Sequence, residues 1–416
     1  MKIVIITVGT RGDVQPFVAL GVALKQAGHT VTICTSSRFQ LFISEYGLNY
    51  AYMNDQLLKL IDTDAGRAAI ESKGNAFFLW QQTMPIIRQT LDEAWIAAQE
   101  AEILIYHPKA LGGYHIAEKL NIPGFMSLLL PLYTPTTAFP SPIFPNLKGG
   151  WYNQLTYQLL PLLTAPYLNV INQWRQERLG LRPRSWNEKE ILGSYGDSSP
   201  VLYAYSSHLI PRPSDWDSST IVTGYWFLDA PADFVPPPQL LDFLANGKPP
   251  LCIGFGSMTG QNPTALREIV LTALKNTGQR GILLTGWGDI GNADLPNDVF
   301  KLEAIPHDWL FPQVAAVMHH GGAGTTAAAL RAGIPNIIIP FFGDQPFWGQ
   351  RVEALGVGPK PIPKKHLTAE KLAAAINVAV NDEEVRRRAL SLGAKIRAED
   401  GVAQAVKVIN RFSSLS

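Results

Sequence analysis

A chain of 416 residues, 46% hydrophobic and 17% charged, exceeds what one hydrophobic core supports, so two domains are expected. Its 35 basic and 34 acidic residues leave a formal charge of +1, without the basic excess of a nucleic-acid binder. Cys34 and Cys252 both lie in apolar runs and lack partners at ligand spacing, so they read as buried thiols and no metal site is expected.

The opening MKIVIITVGT has neither the apolar segment nor the cleavage site of a signal peptide, and no uninterrupted apolar run reaches transmembrane length. A cytoplasmic protein is expected. Residues 3–8 are apolar and rich in β-branched side chains, as in a buried parallel strand. A glycine-bearing turn follows. Phe17, Leu20, Leu24 and Ala27 then share one helical face, which Gly28 is placed to end. Val31–Thr35 completes a strand–helix–strand unit. A strand over 103–106, a helix over 111–120 and a strand over 124–130 come next. The alternation resumes with strands at 251–255, 281–285, 315–318 and 336–339. Helices are expected at 263–276, 324–331, 346–355, 368–380 and 382–398. Two such series predict an α/β protein with two domains.

Prolines 211, 213, 231 and 236–238 mark a connector. The predicted division is an N-terminal domain over 1–225, a linker over 226–245, a second domain over 246–395, and a tail over 396–416 that could return to the first domain. The segment 131–184 is rich in proline and aromatics, among them Tyr133, Phe139, Trp151, Tyr157 and Trp174. It reads equally as irregular packing or as an apolar wall or membrane-facing patch.

Gly9 and Gly12 follow a strand and open a helix, where a loop can approach a ligand closely. GTRGD lacks the full dinucleotide fingerprint, which argues against an NAD-dependent oxidoreductase. Asp13 stands in the first helical turn, where it could stabilise the helix dipole or take a proton from an acceptor hydroxyl. A sharper signal is HHGGAGTT at 319–326, which lies between an apolar run and a helical run. Unpaired helix N–H groups, close approach at Gly321, Gly322 and Gly324, hydroxyls of Thr325 and Thr326, and an imidazole make a phosphate cradle; helix capping is the alternative. The lysine of a Walker loop is missing. Gly256 and Ser257 end another strand and either approach the same phosphates or form an ordinary loop. Asp344 and Gln345, in PFFGDQPFWGQ, offer carboxylate and amide groups suited to sugar hydroxyls, or a cap for the next helix.

These motifs resemble the nucleotide-sugar glycosyltransferases that include UDP-glucose:sterol glucosyltransferases and antibiotic glycosyltransferases. The resemblance runs from VGTRGDVQPFVALGVALKQAGHTVT (8–32) through GFGSM (254–258) to the stretches 305–335 and 337–359, and is most specific at FFGDQPFWG. It implies a GT-B fold, two Rossmann-like domains facing across a cleft, with the donor bound mainly by the second. It implies that His320 contacts the donor diphosphate, with Gly321, Gly322, Gly324, Thr325 and Thr326 around it and Ser257 as a further contact. Asp344 and Gln345 would hold the transferred hexose, and Asp13 would be the base. Plant small-molecule glucosyltransferases use a histidine near that base position, and this chain has none between residues 7 and 20. Their base-stacking tryptophan is replaced by Ala304, their glutamine by His307 and their ribose-binding glutamate by Ala328, so backbone around Ile305 would hold the nucleobase.

The expectation is an inverting, metal-independent hexosyltransferase. It would use UDP-glucose or a related nucleotide sugar as co-substrate, with no resident cofactor. The acceptor would be a sterol, another lipid alcohol or a polyketide, and a lipid acceptor implies transient contact with a membrane surface. A nucleotide-sugar binding protein without transfer is the non-enzymatic alternative.

Overall fold

A computed structural model describes residues 1–62, 76–147, 149–185, 200–231, 233–256, 263–284 and 295–413. The chain forms two compact units. The first comprises Met1–Ser207, Pro211–Leu228 and Asp400–Ser416; the second comprises His208–Ile210 and Asp229–Glu399.

The first unit is built on seven parallel strands: β1 Lys2–Ile6, β2 Thr30–Ser36, β3 Asn49–Met53, β4 Ile103–Tyr106, β5 Gly124–Leu128, β6 Val201–Tyr203 and β7 Thr220–Val222. Their spatial order is β3-β2-β1-β4-β5-β6-β7. β1 lies between β2 and β4, with Ile3 opposite both Val31 and Ile103. Helix α1, Arg11–Gln26, sets Val14, Phe17, Val18 and Leu24 against this sheet; its first-turn Asp13 and last-turn Lys25 complement the helix dipole. The helices of this unit include α2 Ala76–Ala98, α3 Gly113–Leu120, α4 Gly150–Gln158 and α5 Leu168–Trp174.

The second unit holds β8 Leu251–Gly254, β9 Gly281–Leu284, β10 Val299–Leu302, β11 Ala316–His319 and β12 Asn336–Ile338, all parallel, in the order β10-β9-β8-β11-β12. Its helices include α6 Pro238–Ala245, α7 Pro263–Thr277, α8 His307–Leu310, α9 Ala323–Ala332, α10 Gln345–Ala354, α11 Ala369–Asn381 and α12 Glu383–Arg397. α6 falls in the proline-rich stretch read as connector. Prolines 237 and 238 stand at its N-terminus, where proline is tolerated, and Leu240 is buried in the core with Phe311 and Val317. The last helix, α13 Gly401–Ser413, belongs to the first unit and buries Ala405 and Ile409 in the core under α1. Its Gly401 lies so close to Gly224 that a Cβ would come within 2.4 Å of that residue's carbonyl carbon. Both cysteines are buried and free, and burial pushes each thiol up to about 12.

In each sheet one strand begins the order of succession in both directions. Such a switch point opens a crevice beyond the strands' carboxyl ends, where ligands of open α/β sheets sit. It falls between β1 and β4 in the first unit and between β8 and β11 in the second.

Candidate functional site

Asp13 stands at the first of these points. Gly9 has φ +145°, and a Cβ there would lie 2.1 Å from Asp13 Oδ2, so the absence of a side chain lets the carboxylate fold back over the turn. Oδ2 accepts the Thr10 N–H at 2.8 Å and the Thr10 hydroxyl at 3.2 Å. The carboxylate thus serves the helix terminus, and its second oxygen faces another partner: Lys109 Nζ lies 2.7 Å from Oδ1. The Asp13 side chain is 17% exposed and that of Lys109 56%. Burial pushes the Asp13 carboxyl up, but Lys109, the neighbouring His107 and the bonds from Lys109 and Thr10 together hold it below the usual carboxylate range. It is therefore ionised at neutral pH. Gly12 is exposed on the same turn. Arg11 bonds Gln15 and lies over the Phe42 ring, directed away from this chemistry.

The second switch point gathers the glycine cluster. His319, the last residue of β11, is fully buried and turned inward. Its Nε2 pairs with Asn336 Oδ1 at 2.8 Å, and its Nδ1 accepts the Gly321 N–H at 3.1 Å. Burial lowers its pKa to about 3, with His320 adding to the effect, so the ring is a neutral latch that shapes the loop. His320 stands edge-on to it, with ring centroids 6.3 Å apart. Burial lowers its pKa to about 4. Its Nδ1 is buried without a hydrogen-bond partner. A Cβ at Gly322 would meet His320 Nε2 at 2.6 Å, so glycine there is what lets the ring lie across the loop.

Gly322 is the N-cap of α9. The N–H groups of Ala323, Gly324 and Thr325 occupy the first three helical positions, which have no acceptor within the helix. The Thr326 N–H closes the first turn onto Gly322 O, and its hydroxyl bonds the same oxygen at 2.9 Å. Fully buried, Thr326 spends its donor inside the loop, whereas Thr325 is half-buried. Gly324 opens onto free space: a Cβ there would meet nothing within 4 Å.

Two neighbouring segments join this cradle. A Cβ at Gly321, whose φ is +92°, would lie 3.1 Å from Gln345 O, which places the loop against the start of α10. Gln345 is buried, and its side-chain oxygen accepts the N–H groups of Phe341 and Phe342 at 2.7 and 3.2 Å. Asp344 does not cap α10 with its side chain; Oδ2 accepts the indole N–H of buried Trp348 at 2.8 Å. Gly256, with φ +58°, approaches from the end of β8, where a Cβ would lie 3.9 Å from His320 Cε1. Ser257 lies outside the described residues. Ile305 sits on the connection from β10 to α8, and His307 is the first residue of α8. Ile305 packs on the core, and His307 stacks on Phe311 with centroids 4.4 Å apart. Among the described residues no group of three or more His, Cys, Asp or Glu side chains is disposed to hold a metal ion.

Sequence reading missed Lys109, His107, Asn336 and Trp348. Lys109 and Asp13 are 96 positions apart, and only the adjacency of β1 and β4 joins them.

Two family models match. Residues 3–139 match the glycosyltransferase family 28 N-terminal domain, and residues 287–410 the C-terminal domain of erythromycin biosynthesis protein CIII-like proteins. Among solved structures, the glycotransferase of kitacinnamycin aligns with a TM-score of 0.74 at 20% identity, covering 99% of this chain and 98% of that one. The glycosyltransferase VinC in complex with dTDP aligns at 0.67 and 18% identity, covering 100% of both. The two Rossmann-like units thus form a GT-B fold. The sterol 3-beta-glucosyltransferases UGT80A2 and UGT80B1 of Arabidopsis thaliana are 40% and 37% identical over 98% and 99% of this chain, which spans 65% and 68% of their lengths. The sterol 3-beta-glucosyltransferase of Neosartorya fischeri is 36% identical over 99% of this chain, which spans 29% of it. The chain belongs to the sterol 3-beta-glucosyltransferase family of GT-B proteins.

Proposed function

We propose that the protein transfers a hexose, from UDP-glucose or a related nucleotide sugar, to a hydroxyl of a sterol or other apolar alcohol, with inversion at the anomeric carbon. The observation that carries this is the cradle at the start of α9. Three outward helix N–H groups stand beside a buried, unpartnered imidazole nitrogen, a donor set matched to diphosphate oxygens. The sterol 3-beta-glucosyltransferase activity of the two Arabidopsis relatives supports the sugar and acceptor classes.

The reaction divides between the units. In the first, ionised Asp13 accepts the acceptor's hydroxyl proton as that oxygen bonds to the anomeric carbon. In the second, the bond from that carbon to the diphosphate breaks, and the diphosphate leaves with the electron pair. His320, neutral at physiological pH, donates one hydrogen bond to it, and the N–H groups of 323–325 take the remaining developing charge. Single displacement of an α-linked donor gives a β-glycoside. Asp344 and Gln345 hold the hexose.

A second reading, transfer from a dTDP-sugar to a polyketide-like acceptor, has one observation in its favour: residues 287–410 match the erythromycin-type C-terminal domain model.

The acceptor's source fits the segment from Leu147 to Leu163. Trp151 is 74% exposed, and Leu147, Leu155, Leu159, Leu162 and Leu163 are exposed beside it in sequence. From Pro131 to Trp174 the only charged residue is Lys148. An uncharged apolar surface of this kind suits transient docking on a bilayer from its cytoplasmic side. No described helix is long and apolar enough to cross one.

The test is transfer from UDP-[14C]glucose to lipid extract by wild-type protein and by Asp13→Asn, with UDP affinity measured calorimetrically. Loss of transfer with unchanged UDP affinity is expected. Full turnover by the variant would remove Asp13 as the base, and no affinity for either UDP or dTDP would end the transferase reading.

A further inference from the structure

β1 and β4 are hydrogen-bonded neighbours, so the loops at their carboxyl ends rise side by side. The loop after β4 is closed over a buried imidazole. The His107 N–H donates to Ile6 O at 2.9 Å, its carbonyl accepts the Ala110 N–H at 2.8 Å, and its Nδ1 accepts the Lys109 N–H at 3.1 Å. This turn delivers the Lys109 ammonium to Asp13 Oδ1. Oδ2 is already taken by two donors from Thr10, so Oδ1 is the oxygen at which an incoming hydroxyl finds room.

We propose that Lys109 is a positioning residue for Asp13, holding Oδ1 in place and ionised until the acceptor hydroxyl takes over that oxygen. The inference rests on the reading of Asp13 as the base. The charged and titratable groups facing Asp13 among the described residues are Lys109 and His107. Burial keeps His107 neutral down to about 3, so Lys109 supplies the facing charge. Arg11, on Asp13's own helix, is turned to Gln15 and Phe42. Without the ammonium, burial of Asp13 acts unopposed by any cation and raises its affinity for a proton.

The experiment is the pH profile of kcat/KM for Lys109→Met, which keeps the stem and removes the charge, beside Lys109→Arg and Asp13→Asn. The acid limb of Lys109→Met is expected to move up by about one unit or more, as an opposite charge at this range shifts a carboxylate. Lys109→Arg should restore it. A 13C titration of the Asp13 carboxyl in wild type and Lys109→Met gives the same shift without turnover. An unmoved limb and an unmoved titration in Lys109→Met, with Asp13→Asn inactive, would overturn the role of Lys109 and leave Asp13 as the base. Full activity of Asp13→Asn would overturn both.

Discussion

Replacing Gly324 by alanine separates the two uses a glycine can have in the α9 loop. The position has no positive φ, and a Cβ there meets nothing within 4 Å, so the ligand-free protein accepts the methyl. Alanine is the better helix former; in the first turn the gain is about 0.5 kcal/mol, which for a domain of this size raises Tm by about 1–2 °C. Bound diphosphate would reverse the sign. The methyl would fill the space next to the Gly324 N–H, and losing one charge-assisted hydrogen bond costs about 1.5–3 kcal/mol, roughly a 10- to 100-fold weaker Kd. Gly322→Ala provides the contrast: its Cβ would sit 2.6 Å from His320 Nε2, so stability and affinity should fall together. The assay pairs thermal unfolding of the free protein with calorimetric titration of UDP and UDP-glucose. Gly324→Ala that binds UDP within twofold of wild type would show that the open space beside α9 is not where the diphosphate lies.

Acid should unfold both units. Burial lowers His107 and His115 to about 3 in the first, and His319 and His320 to about 3 and 4 in the second. An unfolded histidine binds its proton near pH 6.5, so between about 4 and 6.5 the unfolded state holds more protons and stability falls as pH falls. Two histidines per unit make this about 2.7 kcal/mol per pH unit, and Tm unchanged from pH 7 to pH 5 would contradict it. Serine at Trp151, Leu162 and Leu163 together should remove about 3 kcal/mol of partial burial in a bilayer, roughly 100-fold in vesicle binding by sedimentation, while transfer to a detergent-soluble acceptor continues. Undiminished vesicle binding would place the membrane contact elsewhere.

Strands buried on both faces were legible because they write an apolar run, β12 among them although it lies at a sheet edge: Ile103–Tyr106 is read to the residue, and β8, β9, β11 and β12 to within one. β3 was not, because Asn49–Met53 is an edge strand with polar and half-exposed positions; nor was β10, an edge strand carrying Lys301. β6 and β7, three residues each, were not read either; β12 is as short but sits in the continuous apolar run Ile337–Ile339. The glycine cluster was legible as strand, turn and helix start. What it could not show was the division of labour inside it. His319 turns inward because Asn336, 17 residues on, waits there, and Thr326 is spent on Gly322. Asp13 stood out by its place in the first turn. Its ion pair did not, because the partner arrives from another strand.

The return of α13 to the first unit fixes the order in which a ribosome can complete the two halves. The face of α1 around Val14 and Val18 needs Ala405 and Ile409, which are made some 390 residues later. By then the second unit, contiguous from Asp229 to Glu399, has emerged nearly whole. The half that is translated first is therefore the one that closes last, and a chain cut before Asp400 would keep its glycine cradle while leaving the unit that carries Asp13 with an uncovered apolar flank.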